Sequence, residues 1–203
     1  MIASMAKLAV DVVLLPPDEI MDFVIKINRE LEDRRDGILL NKKDYLPHLT
    51  LAMGAVEESD IPFIEGRLKQ ALGKFSPIKI TVSDIKTSDR PDGTKISSLE
   101  VEKSSELQAL HEAVMKVMSN FFTYEGSPEM FYTPPLVEEL PLFWLKNYHK
   151  TSVYEQYKPH ITIGLGVPEK IALPITFIAS KIALCHLGNY CTCRKIFFSF
   201  DMR

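Results

Sequence analysis

The chain has 203 residues, 46% of them hydrophobic, and a formal net charge of −3. That length buries a sizeable core as one domain or two intimate lobes, and a slightly acidic balance excludes a protein that coats long nucleic acid, though not one that holds a nucleic-acid end or a small nucleotide. No apolar run approaches bilayer length, Met1 to Val13 is strand-like with Asp11 inside it rather than a secretory signal, and Cys185, Cys191 and Cys193 form no disulfide framework, so a cytoplasmic monomer is expected.

In chain order, Lys7 to Leu15 reads as a buried strand ended by Pro16-Pro17. A helix follows, with Pro17 and Asp18 in its first turn and Ile20, Phe23, Ile27 and Leu31 in one apolar stripe. The charge cluster Arg29 to Asp36 reads as solvated surface, and Gly37 as the stop. A strand over about Leu46 to Met53 comes next. Ser59 is the expected cap of a second helix carrying Ile61, Ile64, Leu68 and Leu72, stopping at Gly73. Ile78 to Thr87 and Lys95 to Glu102 read as strands joined through Pro91-Asp92-Gly93. Ser104 or Ser105 caps a long helix with Leu107, Leu110, Val114, Val117, Met118 and Phe121. His111, at the edge of that stripe, reads as structural.

Residues 125–151 form an irregular, Pro-interrupted and aromatic insertion with a short helix around Val137 to His149. It is expected to be a loop pinned by its aromatics; the sharper alternative is a lid whose rings stack on a base. Ile175 to Leu187 and Cys191 to Asp201 are strand-like runs joined by a turn at Gly188-Asn189. Runs of adjacent strands argue for antiparallel sheets backed by helices, an α+β fold.

Within this order one phrase occurs twice. Tyr45-Leu-Pro-His-Leu-Thr-Leu-Ala-Met-Gly54 and Tyr157-Lys-Pro-His-Ile-Thr-Ile-Gly-Leu-Gly166 share Tyr, Pro, His, Thr and the final Gly, 112 positions apart (160 − 48). Residues i and i+2 of a strand leave the same face, so His48 and Thr50 point one way and Leu49 and Leu51 the other; His160 and Thr162 do the same. A lone His on a half-buried strand is usually structural, and Thr is a good strand former. Packing requires the apolar alternation but not the same Pro-His-x-Thr twice. The repetition therefore points to a cleft holding two acid/base groups and two hydroxyls around one small anion.

Paired His-x-Thr strands in a chain of this length resemble the 2H phosphoesterase superfamily, particularly its 2′-5′ RNA ligase and RNA 2′,3′-cyclic phosphodiesterase branch. The resemblance implies a bilobed, pseudo-symmetric duplication over residues 1–203, with the active-site cleft between lobes. It implies His48 and His160 as the catalytic pair and Thr50 and Thr162 as phosphate-binding hydroxyls. Members commonly carry an Arg just after the second motif, where this chain reads Gly164-Leu165-Gly166. Lys158, Lys42, Lys43, Arg194 and Lys195 are the candidate replacements.

The expected chemistry opens a 2′,3′-cyclic phosphate on an RNA end or a nucleotide, one histidine accepting a proton from water and the other giving one to the leaving ribose oxygen. Thr50 and Thr162, with Tyr45, Tyr157 or Lys158, would bind the substrate and stabilise the extra charge. No metal or cofactor is required, and the reverse reaction would join 2′-5′ RNA ends. Which histidine is the base stays open in a nearly symmetric cleft. A histidine-triad hydrolase fails for want of His-x-His-x-His. A zinc site at Cys185, His186, Cys191 and Cys193 lacks any CxxC pair, and buried core cysteines are the better reading. A non-catalytic nucleotide-binding or RNA-end-binding module, and a small-molecule cyclic phosphodiesterase, remain as alternatives.

Overall fold

The structure, a computed structural model, describes residues 6–31, 38–90, 92–134 and 136–203. The strands are β1 Lys7–Leu15, β2 Leu49–Glu57, β3 Ile78–Asp89, β4 Lys95–Val101, β5 His160–Leu165, β6 Ile175–Ala179, β7 Lys181–Leu187 and β8 Cys193–Asp201; the helices are α1 Asp18–Glu30, α2 Ile61–Leu72, α3 Ser105–Met118 and α4 Glu139–Thr151. All strand pairs are antiparallel, in the order β6-β3-β4-β5-β2-β1-β7-β8. The expected α+β, pseudo-symmetric architecture is what forms, with one refinement. The two four-stranded halves are a single curled sheet, joined where β2 meets β5 through the register pair Leu49 and Ile161.

The duplication is visible at the level of single residues. In the β1–β2 pairing Val12 faces Ala52 and Val13 faces Thr50, so Leu51 is an extra, bulged residue. In the β4–β5 pairing Ser97 faces Gly164 and Ser98 faces Thr162, so Ile163, the residue 112 positions on, is bulged as well. A bulge leaves a backbone carbonyl without its ladder partner, and a buried carbonyl needs one. Each is answered from a helix. Asn28 of α1 donates its Nδ2 to the Ile163 carbonyl at 2.7 Å, and the His111 Nδ1 is 2.7 Å from the Leu51 carbonyl. Both side chains are buried for this reason. His111 is thus structural, as its place beside an apolar stripe suggests.

Several local expectations need correction. Ser59 does not cap α2; it lies in a 3₁₀ turn, Glu58–Asp60, and Asp60 takes the cap position ahead of Pro62. Ser104 does cap α3, accepting from the Leu107 amide at 3.2 Å, but that helix stops at Met118, leaving Phe121 beyond it. Ile175 to Leu187 is two strands, not one. Ser180 alone separates β6, which pairs with β3, from β7, which pairs with β1, so the sheet must curl enough for one residue to reach across. The turn after β7 is longer than a two-residue hairpin: Asn189–Cys191 forms a 3₁₀ turn, and β8 begins at Cys193. Cys185 and Cys193 are buried core cysteines as expected, yet they are bonded to each other across β7 and β8. Helix α1 ends at Glu30; the Gly37 stop and most of the Arg29–Asp36 cluster lie outside the described residues. Among the described residues no helix is long and apolar enough to cross a membrane.

Candidate active site

Both motif histidines are held in the same way. The His48 Nδ1 lies 2.8 Å from the Leu46 carbonyl, and the His160 Nδ1 lies 3.0 Å from the Lys158 carbonyl. A carbonyl only accepts, so each Nδ1 carries the proton and, in the neutral ring, each Nε2 keeps its lone pair. The proline before each histidine, Pro47 or Pro159, favours the extended backbone that sets up this turn-back. Extending the Leu49–Ile161 register by one residue each way sets His48 opposite Thr162 and Thr50 opposite His160. All four line one cleft of about 390 Å³, together with Tyr157 and Lys158.

The two histidines sit in unlike surroundings. Only 13% of the His48 side chain is exposed, and burial lowers its pKa to about 4, with a further push from the positive field of His160. His160, on the adjacent strand, is exposed. Behind His48 lies a group that the motifs do not contain. Asp11 of β1 is 0% exposed, and its Oδ2 accepts from the Thr50 hydroxyl at 2.6 Å and lies 3.7 Å from the His48 Nε2. Its only sequence signal is a charge inside the apolar run KLAVDVVLL. Beside His160 the register partner is Glu100, which accepts from the Ser98 hydroxyl at 3.0 Å.

The remaining expected residues separate. Tyr157 lines the cleft, stacks on His111 at 4.0 Å, and donates its hydroxyl to the Thr50 carbonyl at 2.8 Å, so the second motif braces the first. Its counterpart Tyr45 is not among the cleft-lining residues; the Arg194 guanidinium lies over its ring at 3.8 Å. Arg194 also faces Tyr132, Lys195 lies over Phe197, and Lys42 pairs with Asp22 at 2.8 Å. The cations lining the cleft are Lys158 and Lys86, the latter on β3 and without a motif to announce it. No arginine fits at position 164. Gly164 has φ +147°, and a Cβ there would lie 2.5 Å from the Asn28 Nδ2. Leu165 beside it is buried.

The insertion is pinned by its aromatics, and two further rings reach the cleft. Phe131 and Tyr148 are buried and pin it, while Phe143, 58% exposed, and Trp144 line the cleft from α4. The start of α4 is tied down as well. Glu138 accepts from Arg90 at 3.0 Å and from the Tyr190 hydroxyl at 2.7 Å, joining the end of β3 to the turn before β8. Among the described residues no group of three or more His, Cys, Asp or Glu side chains is arranged to hold a metal ion.

The profile of the 2′-5′ RNA ligase superfamily matches residues 16–184, most of the chain and both motifs. The chain belongs to this superfamily, the 2H phosphoesterases. Solved structures of the same fold include TT0787 of Thermus thermophilus, 17% identical with a TM-score of 0.59, over 97% of this chain and 98% of that one. Escherichia coli LigT in complex with 3′-AMP is 14% identical with a TM-score of 0.52, and LigT in complex with NADP+ is 13% identical with a TM-score of 0.51, each over 97% of this chain and 98% of that one. At such identities these likenesses concern the fold. No curated protein matches the chain in sequence. The two His-Thr strands meet at the seam between β2 and β5, within the residues that the superfamily profile matches.

Proposed function

We propose that this 2H phosphoesterase is a metal-independent phosphodiesterase that opens 2′,3′-cyclic phosphates on RNA ends or nucleotides, with residues 1–203 acting as a single bilobed catalytic unit. The observation that carries the reading is the pair of fixed imidazoles, each bound to the backbone through Nδ1 so that Nε2 is left to accept or give the working proton, and each opposite the other motif's threonine. His48, buried and neutral at ordinary pH, is the general base. It takes a proton from water as the water oxygen bonds to phosphorus; exposed His160 gives a proton to the ribose oxygen as its bond to phosphorus breaks. The negative charge of the bound phosphate raises the His48 pKa toward the working pH. Thr50, Thr162 and Lys158 face the oxygens on which charge grows. In hydrolysis water supplies the new P–O bond; the 5′-hydroxyl of a second RNA end in its place, with the P–O3′ bond breaking and the phosphorus staying on O2′, gives 2′-5′ ligation.

Hydrolysis of an oligonucleotide ending in a 2′,3′-cyclic phosphate, in EDTA, tests this. His48→Ala and His160→Ala should each lose about two to four orders of magnitude in rate. Activity abolished by EDTA alone rules out the mechanism. A small-nucleotide substrate is favoured by one further observation: about 390 Å³ lies in the usual range for a site that encloses a small ligand. LigT in complex with 3′-AMP and with ATP shows this fold holding such molecules. Comparing cyclic mononucleotides with oligonucleotides separates the two substrates, and a protein that binds both but turns over neither is the non-catalytic module.

A further inference from the structure

Asp11 stands where the pattern of β1 asks for an apolar side chain. Val10 and Val12 beside it are fully buried, and so is Asp11 itself. Its Oδ2 is engaged by Thr50, and its Oδ1 is buried with no hydrogen-bond partner among the described residues. The titratable groups around it are His48 ahead of β2, Tyr157 ahead of β5, Tyr148 on α4 and Cys191 in the turn before β8. None of these is a standing cation. Among the described residues no lysine or arginine pairs with Asp11. A carboxylate deprived of water and of a counter-charge is far costlier than the neutral acid. Burial accordingly pushes the Asp11 carboxyl well above the usual carboxylate range.

The protonation state decides what Thr50 can do. A threonine hydroxyl has one proton. If it is spent on an ionised Asp11, only lone pairs face the cleft, and those repel a phosphate oxygen. A protonated Asp11 reverses the bond. We propose that Asp11 is a positioning residue: as a neutral carboxylic acid it donates to Thr50 Oγ1 and so turns the Thr50 hydroxyl proton toward the phosphate. The proposal rests on the phosphodiesterase reading for what occupies the cleft. It also breaks the pseudo-symmetry of the site. Asp11 faces Met53, and 112 positions beyond Met53 is Leu165, which faces Ile96. Thr162 therefore has an isoleucine where Thr50 has an acid, and Thr50 alone is given its orientation from behind.

Four variants test this: Asp11→Val, Asp11→Asn, Thr50→Val, and Asp11→Val with Thr50→Val. Valine is comparable to aspartate in size and suits a buried strand, so the fold should survive, with an unchanged or higher Tm. Two quantities are read, kcat on a 2′,3′-cyclic phosphate and calorimetric affinity for inorganic phosphate. Asp11→Val should lower kcat about 10- to 100-fold, somewhat less than the outright loss of a transition-state donor. The double variant should be no worse than Thr50→Val alone, because both remove one interaction. Asp11→Asn should recover most of the loss, since its amide N–H also donates to Thr50. Phosphate affinity should follow the same order. Full activity in Asp11→Val, losses that add in the double variant, or Asp11→Asn as impaired as Asp11→Val each overturns the proposal. If the parent turns over no cyclic phosphate, the phosphodiesterase reading fails, and the affinity series decides alone. Affinity lost in Asp11→Val and restored in Asp11→Asn upholds the role of Asp11; affinity untouched by Asp11→Val ends it.

Discussion

Asn28 and His111 perform the same task on opposite halves of the sheet, each satisfying the carbonyl of a bulged motif residue from a helix that packs beneath it. The Asn28 Nδ2 reaches the Ile163 carbonyl and the His111 Nδ1 the Leu51 carbonyl, both at 2.7 Å. Asn28 also donates to the Ile38 carbonyl at 2.7 Å and accepts from the Leu40 amide at 2.9 Å, while the His111 Nε2 accepts from the Tyr154 amide at 2.8 Å. Replacing Asn28 by alanine takes the partner from three backbone groups; replacing His111 takes it from two, of which the Leu51 carbonyl keeps only a long contact from the Tyr148 hydroxyl at 3.5 Å. Each group costs about 1–3 kcal/mol, partly relieved by entering water. Asn28→Ala and His111→Ala should each lower unfolding free energy by roughly 2–4 kcal/mol in a urea titration. A loss below about 0.5 kcal/mol, the level of an ordinary surface change, would contradict this account of the bulges.

The unlike surroundings of the two histidines predict the pH dependence of the proposed reaction. A protonated His48 cannot accept a proton from water, so kcat/KM, which reports the free enzyme, should fall as pH drops through about 4. The acid limb of kcat should lie at higher pH, because bound phosphate stabilises the imidazolium. Steady-state kinetics between pH 3.5 and 9 on a cyclic nucleotide resolves both limbs. A kcat/KM acid limb well above pH 4 would take the base role away from His48.

Phe143 and Trp144 offer rings to the cleft from a helix whose start is anchored by Glu138, Arg90 and Tyr190. If a base stacks there, truncation removes binding in the ground state and the transition state alike. Stacking is worth about 1–3 kcal/mol per base. Phe143→Ala or Trp144→Ala should then raise KM for a cyclic nucleotide about 5- to 100-fold and leave kcat nearly unchanged. The same variants should hardly alter affinity for inorganic phosphate, which carries no base. An equal loss for both ligands would mean that the helix has shifted, not that a stacking partner has gone.

The elements that are legible from residue patterns are those in which one force dominates. The apolar run of β1 defines its strand to the residue, and Pro17-Asp18 and the Ser104 cap mark where α1 and α3 begin. The His-Thr strands are legible because they repeat. What escapes is what depends on partners distant in sequence. Nothing in the run through Ser180 marks a break; only the pairing of β6 with β3 and of β7 with β1 divides it. Cys185 and Cys193 are eight apart in sequence, a spacing that says little until β7 and β8 lie side by side. Asn28 and His111 are equivalent in place but not in residue type, so the duplication that exposes the motifs hides this pair. Asp11 carried a visible signal, a charge in a buried strand, whose meaning depends on Thr50 lying across the ladder.

Asp11 and His48 also make opposite contributions to stability between pH 4 and 6.5, and a variant can separate them. The folded state lowers the His48 pKa to about 4 from the ordinary 6.5, so in that window the unfolded chain binds more protons, and stability rises with pH. The whole contribution, about 3 kcal/mol, is lost as pH falls from 6.5 to 4. Asp11 does the reverse. Its folded pKa is raised, so the folded state binds more protons; its contribution is complete below the unfolded pKa of about 3.9 and is lost as pH climbs toward the folded value. In the parent the two trends offset each other. Asp11→Asn keeps the shape and cannot titrate, so only the His48 trend should remain. Every other group contributes equally to both proteins. Unfolding free energies from urea titrations at pH 4, 5, 6 and 7 should therefore show the variant gaining on the parent with each step, by up to about 1.4 kcal/mol per pH unit. Curves that stay parallel would mean that Asp11 is ionised in the folded protein and that Thr50 spends its proton on it.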